Sequence, residues 1–159
     1  KQILIQKPLA ACLLACLLAC LLIATSIQAQ TTSLQVTNNS NCTVEVSLRA
    51  YHPQYAPTLI PSITMVFAPA ASYTFSTSNL ADWSSNVPPN IVMSSEIISA
   101  IVTSPNCHQP ADGVQVWNPD FSNPIFSGPS DAWFLGCCPT DGINVSFQPG
   151  TPQATLLIY

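Results

Sequence analysis

The side chains most able to do chemistry in this sequence are its cysteines, which fall into two groups. Cys12, Cys16 and Cys20 recur every fourth residue near the N-terminus, along one face of a helix. Cys42, Cys107, Cys137 and Cys138 are spread through the rest of the chain. In an oxidising compartment four such thiols are expected to form two disulfides. A direct bond between Cys137 and Cys138 would strain the peptide joining them, so each is expected to reach a separate distant partner, and the pairing stays open. Bridges closing loops of this size contribute about 3–5 kcal/mol each in the chain-entropy picture. The competing chemistry is a zinc or copper site built from Cys107-His108 and Cys137-Cys138, with His52 as a further candidate ligand. The spacing opposes it, because no Cys-x-x-Cys or His-x-x-x-His pair occurs and adjacent ligands such as Cys107-His108 rarely converge on one tetrahedral ion.

Oxygen ligands are grouped late in the chain. Asp112, Asp120, Asp131 and Asp141, near Asn118 and Asn123, are of the type that suits calcium, but no EF-hand or repeat-type spacing joins them. They read first as solubilising turn residues, with calcium as the alternative. Trp83, Trp117 and Trp133, with Tyr51 and Tyr55, could form a platform on which sugar rings stack, although tryptophan in a small domain is more often core. Trp117 is the best candidate, because Val114 and Val116 take the other face of its segment. Trp133 lies in an apolar run, Trp133-Phe134-Leu135, and is expected to be buried.

Catalytic chemistry is poorly supplied. The chain has two histidines, no Gly-x-Ser-x-Gly, no His-Glu-x-x-His and no glycine-rich phosphate loop. Its only glutamates are Glu45 and Glu96. The expectation is a protein that is not an enzyme and needs no cofactor.

The N-terminal segment suggests where the molecule works. Lys1 to Pro8 carries two lysines and no acid, and an unbroken apolar run from Leu9 to Ala24 follows. That order is the pattern of a secretory signal peptide. Sixteen helical residues reach about 24 Å, short of the roughly 30 Å hydrocarbon core of a membrane. Cleavage is expected after Ala29, dividing the chain into a signal peptide, 1–29, and one domain, 30–159. A lipidation box at Leu18-Ala19-Cys20 is the weaker reading, because Leu21-Leu22-Ile23 prolongs the apolar run. The destination is therefore outside the cytoplasm, secreted or at the cell surface.

Beyond residue 29 the chain carries one cation, Arg49, against seven acids, a net charge of −6. A surface so poor in lysine and arginine cannot displace counterions from phosphate, which excludes nucleic acid as a partner. Attraction to anionic lipid is excluded on the same ground, so contact with membrane is expected only through an uncleaved leader. With no lysine there, Schiff-base chemistry is excluded too.

The elements that must position these residues are strands. Cys42 to Tyr51 alternates over ten residues, with Cys42, Val44, Val46, Leu48 and Ala50 on one side. A shorter strand at Leu34 and Val36 precedes it and ends at the turn-forming run Asn38-Asn39-Ser40-Asn41. Ile63–Phe67 and Tyr73–Phe75 read as a second pair, and Asn79 to Asn90 as a loop stopped by Pro88-Pro89. Residues 91–103 fit either a helix capped at Ser94 or Ser95 or a strand, and their β-branched content favours the strand. Asp112-Gly113 and Asp141-Gly142 introduce strands at Val114–Trp117 and Ile143–Phe147, and Ala154–Tyr159 closes the chain. Seven to nine strands in one domain of 130 residues suit an all-β sandwich of immunoglobulin-like or jelly-roll type.

The stretch Val36-Thr37-Asn38-Asn39-Ser40-Asn41-Cys42-Thr43-Val44 resembles the opening of small exported β-sandwich proteins of Bacteroidetes-type bacteria, and Pro149-Gly150-Thr151-Pro152 before the last strand shares the likeness. The resemblance implies export and a sandwich fold and carries over no functional residue. Two functional expectations follow. One is a non-catalytic surface or matrix protein whose sheet edges or loops contact other extracellular proteins or its own copies. The other is a glycan-binding module, with or without calcium, whose expected face is Trp117 and the acidic loops.

Overall fold

The computed structural model describes residues 30–84, 86–105, 113–134 and 142–159. Alternation of apolar and polar residues produces most of its strands. β1 (Ser33–Asn38) buries Leu34 and Val36, and β2 (Val44–Tyr51) buries Val44, Val46, Leu48 and Ala50 while turning Glu45, Ser47, Arg49 and Tyr51 outward. The others are β3 (Ile60–Pro61), β4 (Met65–Phe67), β5 (Ser72–Ser76), β6 (Glu96–Thr103), β7 (Gly113–Trp117), β8 (Asp131–Phe134), β9 (Ile143–Gln148) and β10 (Gln153–Ile158).

These ten strands make the two packed sheets of an all-β sandwich. The first sheet runs β5-β1-β10-β9-β8, antiparallel except where β1 and β10 lie parallel. The second runs β3-β2-β6-β7, with β4 also on β2. β1 and β2 thus belong to different sheets, and Asn38 to Asn41 carries the chain across. Along one edge of β2, β3 pairs with Arg49 and Ala50 and β4 with Val44 to Val46. Ser62 fills the gap between them, accepting at Oγ from the Leu48 N–H (2.7 Å) and donating its own N–H to the Leu48 carbonyl (3.0 Å).

Three expectations change. Met65–Phe67 and Ser72–Ser76 do not pair with each other: β4 joins β2 and β5 joins β1, because the turn at Ala68 to Ala71 passes the chain between sheets. Asn79 to Asn90 is not all loop, for it holds a 3-10 turn at Leu80–Asp82 and the start of the helix α1 (Pro89–Met93). Proline at the first helical position lacks an N–H the helix would not have used, so Pro88-Pro89 starts an element rather than stopping one. Residues 91–103 are therefore divided. Ser94 and Ser95 end α1 by donating their hydroxyls to the carbonyls of Asn90 and Ile91, both at 2.6 Å, and the β-branched run beyond them forms β6.

The inward faces of both sheets form one apolar core, in which Phe75, Phe147, Leu34, Leu48, Ile60 and Leu156 are among the largest fully buried side chains. Its rims are stitched by three buried Asx side chains. The Asn38 amide donates to the carbonyls of Cys42 (2.7 Å), Phe67 (3.1 Å) and Ala68 (3.2 Å), while its Oδ1 accepts from the Ser40 N–H and hydroxyl. Its backbone also exchanges hydrogen bonds with Ala70 and Ala71, holding Ala70 in the left-handed region at φ 62. Asp82 accepts from the Tyr73 hydroxyl, the Ser76 N–H and the Asn79 amide. At the opposite end Asn118 donates to Thr31 Oγ1, which in turn donates to the Gly150 carbonyl, while the Thr31 carbonyl accepts from Ile97.

Losing one partner of a buried hydrogen bond costs about 1–3 kcal/mol. Asn38→Ala leaves several carbonyls unsatisfied, so chemical denaturation should show a loss of about 2–4 kcal/mol. A change below about 0.5 kcal/mol, the level of an ordinary surface substitution, would contradict the role given to Asn38.

Candidate functional site

Strand alternation turns one residue in two of the first sheet away from the core, and the register aligns them in rows. Thr74, Gln35, Thr155 and Gln148 form one row, and Ser72, Thr37, Leu157, Ser146 and Asp131 the next. Beyond them Trp133 pairs with Asn144, which exchanges two backbone hydrogen bonds with Tyr159 (2.7 and 2.9 Å). Among the described residues the face is a carpet of hydroxyl and amide side chains with one acid, Asp131, and no cation. Trp133 (56 % exposed) and Tyr159 (56 %) are its two open aromatic groups.

Trp133 was expected in the core from its apolar run. Phe134 takes the inward position instead, and strict alternation sends Trp133 out. Its indole lies over Gly142, where a methyl group would collide with the ring. A depression of about 270 Å³ is lined by Asp131, Ala132, Trp133, Asn144, Val145 and Tyr159. A second, of about 180 Å³, reaches from Tyr159 to the Asn39–Cys42 turn and Gly142. Among the described residues the Asn144 amide, the Tyr159 hydroxyl and the Trp133 indole N–H have no hydrogen bond, so all three are available to a ligand.

Trp83, Trp117 and Tyr51, the residues the sequence favours for stacking, lie elsewhere. Trp83 is buried, 4 % exposed, with Nε1 donating to the Ser76 carbonyl at 2.8 Å. Together Trp83 and Asp82 occupy the N–H and C=O of Ser76 on the outer edge of β5. Trp117 does face away from the core, opposite Val116, but it is half-buried beneath Gly128, whose Cα lies against the indole. Tyr51 packs against Phe121 (5.2 Å between centroids) and Phe126 (5.7 Å). Both are covered because the segment after β7 folds back over the second sheet. Pro129 accepts from the Trp117 N–H and Ser130 from the Phe147 N–H, joining the two sheets on that side.

Among the acids, Asp120 and Asp131 are exposed, and Asp112 and Asp141 lie outside the described residues. No group of three or more metal-ligating side chains occurs among the described residues. Cys42 is buried just before β2 and its sulfur is disulfide-bonded. Cys107, Cys137, Cys138 and His108 lie outside the described residues, as does the whole segment 1–29 with Cys20. His52 sits after β2, where its Nδ1 accepts from the Gln54 N–H. No helix among the described residues is long and apolar enough to cross a membrane.

Among the described residues two groups titrate away from their ordinary values. The Tyr73 phenol is raised, chiefly because it donates to the Asp82 carboxylate and also by burial and the Asp82 charge. The Glu96 carboxyl is raised by burial and by the charge of Asp120, against a backbone hydrogen bond from Thr31 that lowers it.

No family model, curated protein or solved structure matches this chain. The site therefore rests on its own geometry.

Two outcomes are expected. In acrylamide quenching, Trp133→Phe should remove most of the quenchable emission and Trp83→Phe the protected emission; quenching that persists unchanged without Trp133 would contradict its exposure. A carboxyl raised in the folded state favours folding below its unfolded value of 4.5 and loses that contribution as pH rises through the folded value. Glu96→Gln should thus raise the melting temperature near neutrality and leave it unchanged near pH 3. A variant no more stable than the wild type at neutral pH would refute this linkage.

Proposed function

We propose that this chain is an exported, non-catalytic surface protein that works through contacts made by the outer face of its first sheet. The carrying observation is Trp133, held open on a face whose other side chains are almost all hydroxyls and amides. An exposed tryptophan with an unused indole N–H has no structural task in the sandwich. The apolar, lysine-bearing leader and the four later cysteines support a destination outside the cytoplasm.

Contacts that occupy parts of the sheet edges support a contact by face. Unpaired strand edges are the usual route to association between copies. Here Asp82 and Trp83 occupy Ser76 on β5, Ser62 closes the gap along β2, and Pro129 and Ser130 bridge β7 to the first sheet. An interface with another protein is characteristically apolar at its centre. Among the described residues the outer face offers only Trp133, Tyr159 and the half-buried Leu157, which favours the glycan reading over partner proteins or a second copy.

The test is retention of the tagged full-length protein on the surface of cells that express it, alongside sedimentation velocity at several concentrations. The expected result is a monomer whose retention falls about ten-fold in Trp133→Ser, a loss of about 1.4 kcal/mol. Val66→Ser, which changes a side chain 63 % exposed on the second sheet, should leave retention unchanged. Retention that ignores Trp133, or assembly through the β5 or β3 edge, would overturn the proposal.

A further inference from the structure

Resting on that reading, we infer that the row Trp133, Asn144, Tyr159 is a subsite for a neutral oligosaccharide, with a sugar ring stacked on the Trp133 indole and the chain continuing over Tyr159 toward Asn39 and Asn41. The geometry supplies each element such recognition needs. A pyranose presents a face of C–H groups and a rim of hydroxyls. The indole offers a flat apolar surface of matching kind, and its own weight against Gly142 fixes the tilt of the ring. Large, stiff aromatic surfaces of this sort give contact area with little loss of conformational freedom.

The rim of the sugar is met by groups of complementary type. Asn144, between the two aromatic residues, brings two donors and one acceptor oxygen, and no hydrogen bond of the chain engages them among the described residues. The Asp131 carboxylate, in the next row, accepts from Ser130 at 3.1 Å through Oδ2 and leaves Oδ1 for a hydroxyl donor. Tyr159 adds a hydroxyl. Adjacent strands lie about 4.8 Å apart, so Trp133 and Tyr159, on positions two strands apart, are separated by about 10 Å, the length of a disaccharide.

Charge selects the class. Among the described residues this face carries Asp131 and no cation, so a sulfated, phosphorylated or uronic ligand would bring a negative charge to groups that do not pair it. A peptide laid across the outward side chains would need an apolar groove, and the described residues of this face are mostly hydroxyls and amides. The depression beside Trp133, at about 270 Å³, falls below the roughly 300–1,000 Å³ of sites that enclose a whole small molecule. It suits one ring of a longer ligand lying along an open face. The second depression of about 180 Å³, which shares Tyr159, continues the track to the exposed Asn39 and Asn41.

The experiment is calorimetric titration of the full-length protein with cellohexaose, laminarihexaose, mannohexaose, chitohexaose and an oligogalacturonate of the same length, with tryptophan emission followed in parallel. At least one neutral hexamer should bind saturably and shift the emission. Trp133→Ala should weaken that binding at least about ten-fold and Asn144→Ala several-fold, both with unchanged far-ultraviolet circular dichroism. Gly142→Ala, which retains the indole but displaces it, should weaken binding too. Preference for the uronic hexamer, binding untouched by Trp133→Ala, or no binding to any neutral hexamer overturns the assignment. Failure here is separable from failure of the wider reading. Cell-surface retention that needs Trp133 but is not competed by the hexamers rejects the sugar and keeps the face, whereas retention independent of Trp133 rejects both.

Discussion

A sandwich whose chain passes repeatedly from one sheet to the other must satisfy buried backbone groups at every crossing, and here Asn38 meets the most demanding case. Its side chain is fully buried, yet its two donors and its acceptor are all engaged, on Cys42, Phe67, Ala68 and Ser40. Those partners come from the end of the first sheet, the start of β2 and the end of β4. One short side chain thus ties together the points where the chain leaves and regains each sheet. An aspartate there would lack the donors and an alanine would lack everything. Asp82 and Asn118 do comparable work at other rims, so the core is closed by polar residues as much as by its own packing.

This arrangement bears directly on the surface. Because rim groups are satisfied from within, the outer face of the first sheet is left largely to serine, threonine, asparagine and glutamine, with Asp131, Trp133, Tyr159 and Leu157 among them. The proposed oligosaccharide subsite draws on those uncharged hydrogen-bonding groups. The second sheet has been used differently. Its outer face is roofed by the segment carrying Phe121, Phe126 and Gly128, which absorbs the aromatic surface of Tyr51 and Trp117 into a second small packed cluster.

The strands were legible wherever alternation was clean, as in β1, β2, β9 and β10. The helix and strand within 89–103 were blurred because β-branched residues fit either pattern until the serines that separate them are weighed by their hydrogen bonds. Trp133 was misread because three successive apolar residues conceal period two. Its neighbour Phe134 fills the inward site, and only the pairing with Asn144 reveals the outward one. Trp117 and Tyr51 were correctly turned from the core, but a cover formed by residues 118–130 leaves no local trace in either strand. Asn38 was legible as a turn former and not as a junction, since its three carbonyl partners come from 4 to 30 residues away.

The central claim is that the Asn38 junction locks the second sheet onto a first sheet whose middle is the parallel pairing of β1 with β10. Residue-resolved hydrogen exchange by NMR tests it most directly. The expected result is an Asn38 side-chain amide that exchanges as slowly as the backbone amides of β1, β10 and β2. An Asn38 amide exchanging at the rate of the exposed Asn144 amide, or rapid exchange along the β1–β10 pair, would contradict it.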